Sequence, residues 1–115
     1  MIILGISAWY HDSSACLLIN GDIKVAVQEE RFTRIKHDSS FPIESIKSCL
    51  KESNLSISDV DRIVFYEKPF LKFERIIETY LAFAPKGFFS FLKAIPLWLR
   101  NKLYQKNKII SELNK

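Results

Sequence analysis

Apolar residues recur along this chain in two rhythms, and the change between them divides it. Ile2–Ser7 is a short, β-branched, continuous apolar run, the signature of a buried strand. Ala15–Ile19 repeats that signature and predicts a second strand. Asn20-Gly21-Asp22 predicts a tight hairpin, because Asn-Gly accepts the positive φ values such turns require. Ile23–Gln28 then alternates, with Ile23, Val25 and Val27 on one face and Lys24, Ala26 and Gln28 on the other. The chain is therefore expected to open as a three-stranded antiparallel meander.

The spacing becomes helical over Pro42–Glu52, where Ile43, Ile46, Cys49 and Leu50 share a face and Pro42 suits a first helical turn. Asn54, Ser56 and Ser58 mark a loop. Val60–Tyr66 predicts a fourth strand, reached by a crossover long enough for parallel pairing. Pro69–Phe83 is expected to be helical, with Phe70, Phe73, Ile77, Tyr80, Leu81 and Ala84 as its apolar stripe. The aromatics Phe70, Phe73, Tyr80 and Phe83 are read as core-facing. From Gly87 onward the pattern predicts helical pieces split at Pro96. The order strand–strand–strand–helix–strand predicts an α/β fold. It is the opening of a ribonuclease-H-like half, as in the actin, sugar-kinase and Hsp70 ATPase superfamily.

Charge adds an asymmetry. Residues 1–85 carry 10 Lys/Arg and 12 Asp/Glu, net −2, whereas residues 86–115 carry 7 Lys/Arg and one acid, Glu112, net +6. The 115 residues amount to one domain at most, and 48% hydrophobic with 26% charged content is that of an ordinary folded protein. Cys16 and Cys49 cannot make a disulfide framework and read as buried thiols. The first charged side chain is Asp12, so no basic leader region is seen. The apolar stretch Leu81–Leu99 is interrupted by Pro85, Lys86, Gly87, Lys93 and Pro96, whereas a spanning helix needs about 20 largely uncharged residues. A cytoplasmic location is expected.

The candidate chemistry lies at two polar corners. Tyr10-His11-Asp12-Ser13-Ser14 separates the first two strands, and Glu29–Ser40 follows the third. Turns of short polar residues leave backbone N–H groups open and make anion-binding concavities. Two such clusters at neighbouring strand ends predict one site for a phosphorylated ligand. Asp12 reads as a corner or cap residue rather than a base. Lys36 and His37 have the plainer reading of solvated charges. A metal held by His11, Asp12, His37 and Asp38 is disfavoured, because neither histidine pair has helical ligand spacing. Glu29 and Glu30, read as strand neighbours, should point to opposite faces, one of them pairing with Arg31 or Arg34.

The segment ILGISAWYHDSSACLLINGDIKVAVQEERFTRIKHDSSFP resembles the amino-terminal segment of the carbamoyltransferases of the nodulation and antibiotic-tailoring kind. FYEKPFLKFERIIETYLAFAPKGFFSFLKAIPLWL resembles the same family's continuation. The resemblance implies that ATP and carbamoyl phosphate are combined into a carbamoyl-adenylate, whose carbamoyl group a second domain passes to a hydroxyl of a small molecule. It implies catalytic roles for His11, in HDSS, and Lys36, in RIKH. Both would offset charge on transfer. Ser13 and Ser14 would bind phosphate oxygens.

The same resemblance implies a divalent metal in the complete enzymes, held by a His-x-x-x-His pair that this chain lacks, since its only histidines are His11 and His37. Residues 1–85 would begin the nucleotide and carbamoyl-phosphate domain, and 86–115 would extend it as a basic, aromatic helical part. The remainder of the enzyme would be the partner, and the chain alone would be inactive, as a fragment, split gene or truncated frame. Phe88, Phe89, Phe91 and Trp98, interleaved with Lys86, Lys93, Arg100 and Lys102, would then face that remainder and promote self-association. The alternatives are a non-catalytic phosphate or nucleotide-binding module or relic, and a basic aromatic interaction protein at a membrane surface. No nucleic-acid motif accompanies the basic tail.

Overall fold

A computed structural model describes residues 1–114, the side chains of Asn101 and Leu103 apart. Lys115, the last basic residue of the tail, lies outside the described residues. The chain forms two compact units, Met1–Glu67 and a helical unit from Lys68 onward.

The first unit is α/β. Strands β1 (Ile2–Ser7), β2 (Ser14–Ile19), β3 (Asp22–Gln28) and β4 (Arg62–Phe65) form one mixed sheet in the order β3-β2-β1-β4. β1 and β2 are antiparallel, from Ile2 opposite Ile19 to Ser7 opposite Ser14. β4 joins the other side of β1 in parallel, from Ile3 opposite Arg62 to Ile6 opposite Phe65. The hairpin forms as its residues demand, with φ of +54° at Asn20 and +96° at Gly21. One turn, α1 (Glu30–Thr33), follows β3, and α2 (Ile43–Glu52) lies across β2 and β3. Every second residue points into the core: Leu4, Ile6 and Ala8, then Ala15 and Leu17, buried with Phe41, Ile46 and Cys49. Leu4 and Leu17 are a cross-strand pair at 0% exposure, each burial contributing about 1.5–3 kcal/mol.

Three details of the first unit depart from the expected pattern. Leu17 faces Val25 but Leu18 faces Ile23, so a bulge at Lys24 moves Ile23 off the face it was expected to share with Val25 and Val27. Ile23 is 68% exposed in consequence. β4 is shorter than Val60–Tyr66, because a 3-10 turn, Ile57–Asp59, closed by a reciprocal Ser56–Asp59 capping box, occupies the preceding chain. Pro42 stands at the N-cap of α2 rather than inside its first turn.

In the second unit α3 (Pro69–Phe83), α4 (Phe88–Leu103) and α5 (Gln105–Leu113) follow one another. α4 is not split at Pro96 but runs through it. Proline removes one intrahelical hydrogen bond. Two ring stacks on either side hold the helix to α3: Tyr80 on Phe91, centroids 4.1 Å apart, and Phe73 on Trp98, at 5.2 Å. The expected stripe is narrower than predicted, since Phe70, Leu81 and Phe83 are exposed while Phe73 and Tyr80 pack. Phe91 and Trp98 pack inward on α3, and Phe89 is 79% exposed. Among the described residues no helix is long and apolar enough to cross a membrane.

Candidate functional site

β1 and β3 both run antiparallel to β2, so their carboxyl ends lie at the same edge of the sheet. The two polar corners leave from those ends, where open α/β sheets commonly bind ligands. Backbone bonds join them: the Trp9 N–H donates to the Ser39 carbonyl at 2.9 Å, and the Ser13 N–H to the Asp38 carbonyl at 2.8 Å. The Trp9 ring packs at the junction, its centroid 5.6 Å from those of both Phe41 and Phe65.

At the centre is Asp12. Its Oδ2 lies 2.7 Å from His11 Nδ1 and its Oδ1 lies 2.8 Å from His37 Nδ1. The sequence reading of Asp12 as a corner residue misses this bridge, because one of its partners is 25 residues away. Asp12 and His37 have φ of +52° and +57°, in the left-handed region that Asp and His enter more readily than most side chains, and Trp9 has +65°, which a bulky residue seldom adopts. The hydrogen bonds to His37 first and His11 second hold the Asp12 carboxyl below its usual range. The Asp12 hydrogen bond and charge, with Glu30 adding to them, raise His37 above 6.5. The His37 N–H also donates to Glu30 Oε2 at 3.2 Å.

His11 and His37 are exposed, with side chains 58% and 63% accessible. Lys36 is exposed beside His37 and lines an open cavity of about 300 Å³ with Glu30, Arg31, Arg34 and Ile35. Three cations against one acid make that cavity suited to an anion. Ser13 is used by the fold, since its N–H is committed to Asp38 and its carbonyl accepts the Glu29 N–H at 2.8 Å. Its hydroxyl is buried without a partner among the described residues. Ser14 begins β2, between Ser7 and Gln28. Asp38 accepts the Ser40 N–H at 2.8 Å and is depressed by it, an Asx turn that shapes the second corner.

Glu29 corrects the sequence reading. It is not a strand residue paired with Arg31 or Arg34 but a buried cap on α2. Its carboxyl accepts the Glu44 N–H at 3.1 Å, the Ser45 N–H at 2.8 Å and the Ser45 hydroxyl at 2.6 Å. A helix whose N-cap is Pro42 has no local side-chain acceptor for its first amides. That missing cap was the available sequence signal. Through Glu29 the end of β3 is tied to α2, and the second corner between them is held from both sides.

Among the described residues no group of three His, Cys, Asp or Glu side chains is placed to hold a metal ion.

The chain is similar to several known proteins. The uncharacterized protein sll1178 of Synechocystis sp. is 59% identical over 114 residues, covering 96% of this chain and 18% of that protein. The nodulation protein NolNO of Sinorhizobium fredii is 40% identical over 60 residues, covering 52% of this chain and 9% of that protein. An uncharacterized 19.2 kDa protein of Rhizobium etli is 40% identical over 60 residues, covering 52% of this chain and 35% of that protein. The chain thus spans under one fifth of the length of its cyanobacterial relative. The family profile described as carbamoyltransferase N-terminus matches residues 2–115, and with it the chain belongs to the carbamoyltransferase family, in that amino-terminal part.

Proposed function

We propose that this chain is the front of a carbamoyltransferase nucleotide domain, contributing His11 and Lys36 to a site that forms carbamoyl-adenylate from ATP and carbamoyl phosphate. The carbamoyl group then passes to a hydroxyl of a small molecule. The observation that carries the reading is the joining of the two corners, which brings the HDSS turn and the RIKH segment to one edge of the sheet. The sheet order and the parallel β1–β4 pair support a ribonuclease-H-like half for the domain.

Lys36, with Arg31 and Arg34 around the same cavity, offsets the charge that a nucleotide and a carbamoyl phosphate bring together. His11 accepts or donates a proton at the nitrogen that Asp12 leaves open. Ser14, half-buried at the start of β2, would offer its hydroxyl to phosphate oxygens, whereas the buried Ser13 hydroxyl would reach them only if the corner opened. The downstream part of the enzyme completes the site, and this chain alone is inactive. The test supplies the downstream portion of the coding region in cis or in trans and measures carbamoyl phosphate-dependent ATP turnover. His11→Asn and Lys36→Ala are expected to lower it about 100-fold, the lower range for a positioned acid–base or charged group. Unchanged turnover in both variants would show the assignment wrong.

A further inference from the structure

We propose that Asp12 is the positioning residue of this corner and that His37 is a second histidine of its site, each imidazole held through Nδ1 so that Nε2 faces the ligand. The two contacts are short and share one carboxyl group: 2.7 Å from Oδ2 to His11 and 2.8 Å from Oδ1 to His37. A carboxylate offers only acceptors, so each Nδ1 carries the proton it donates. That determines the tautomer of both rings and leaves the lone pair of a neutral ring at Nε2. Neither Nε2 has a partner among the described residues, and both rings are largely exposed.

The bridge is built rather than incidental. His37 reaches Asp12 across 25 residues of chain, flanked by the Trp9–Ser39 and Ser13–Asp38 backbone bonds and steadied by its own N–H on Glu30. Trp9, three residues before Asp12, is held in the left-handed backbone, and such strain at a bulky residue persists only where the surroundings enforce it. Asp12 faces His37 from the first corner and Glu30 from α1, and the two acids favour its protonated form. Protonated His37 donates at Nε2, so the corner offers a charge-assisted donor suited to an oxyanion, with a second imidazole held on the same carboxyl group. Reading that oxyanion as the phosphate of the carbamoyl-adenylate rests on the function proposed above; the tautomers do not.

The test has two arms. In the 115-residue chain labelled with ¹⁵N at histidine, two-bond ¹H–¹⁵N correlations at alkaline pH are expected to report Nδ1–H tautomers for both rings, and a titration to give a His37 midpoint above 6.5. Asp12→Asn should shift that midpoint down and release both tautomers. Nε2–H tautomers in the unsubstituted chain would overturn the proposal, with no variant required. In the completed enzyme, Asp12→Asn is expected to lower kcat about 100-fold with KM changed less than about twofold, the range for a misaligned acid–base group. His37→Gln should remove the fall in activity as pH rises through the His37 midpoint. Unchanged kcat for Asp12→Asn, or an unchanged pH profile for His37→Gln, would also overturn it. If the unsubstituted enzyme shows no carbamoyl phosphate-dependent turnover, the functional reading fails and the tautomers alone decide the role of Asp12.

Discussion

Glu29→Ala is expected to destabilise the α/β unit more than any other single polar substitution in it. Glu29 is 2% exposed, and its carboxyl receives two backbone amides of α2 and the Ser45 hydroxyl. Alanine removes all three acceptors at once and leaves the Ser45 N–H and hydroxyl, both buried, without partners. An ordinary N-cap loss is about 0.5–2 kcal/mol, and a hydrogen bond to a charged group is about 1.5–3 kcal/mol. Because the three bonds share one group they do not add fully, and a loss of about 3–5 kcal/mol is expected. Glu29→Gln keeps one carbonyl acceptor but turns an NH₂ toward a donor, for a loss of about 1–2 kcal/mol. Urea unfolding followed by Trp9 fluorescence in a Trp98→Phe background isolates the first unit, because Trp9 packs with Phe41 and Phe65. With a urea slope of about 1–3 kcal/mol per molar, Glu29→Ala should lower the midpoint by about 1 M or more. A loss under about 0.5 kcal/mol, less than even an exposed cap, would refute the reasoning.

Four further outcomes are expected. His37, raised above 6.5, contributes fully below 6.5 and loses its contribution as pH rises through its folded value. Asp12, lowered from 3.8, contributes fully above 3.8 and loses its contribution as pH falls through its folded value. Hydrogen-exchange protection of the Trp9 and Ser13 amides that join the corners should therefore be greatest between 3.8 and 6.5 and decline above. Cys49 is wholly buried, donates to the Ala15 carbonyl and has its thiol pushed up to about 11, so at pH 8 an alkylating reagent should modify half-buried Cys16 first. Mass spectrometry of the modified chain reads this, and equal rates in the folded state would contradict it. The chain should self-associate through the exposed apolar residues of α4, and Phe89→Glu with Leu97→Glu should reduce the association in sedimentation. Its binding to anionic vesicles, at about 1 kcal/mol per basic residue, should be lost at high salt; binding that survives would indicate apolar insertion.

Local signals in the sequence determined the elements. Continuous apolar runs marked β1 and β2, a two-residue rhythm marked β3, helical spacing marked α2 and α3, and Asn20-Gly21 specified its hairpin through the φ values it tolerates. Each depends on neighbours a few positions away. The HDSS and RIKH motifs likewise pointed to the family and to His11 and Lys36. Other features depended on which distant groups the fold brings together. The bulge at Lys24 reversed the facing of Ile23 although the alternation read cleanly, because cross-strand register depends on both strands. α4 passed through Pro96 because two aromatic stacks on α3 hold its two sides. Glu29 found its partners 15 and 16 residues on, and Asp12 found His37 25 residues on. A buried or bridging polar group must be satisfied by whatever donor lies beside it, and only the tertiary structure decides which donor that is.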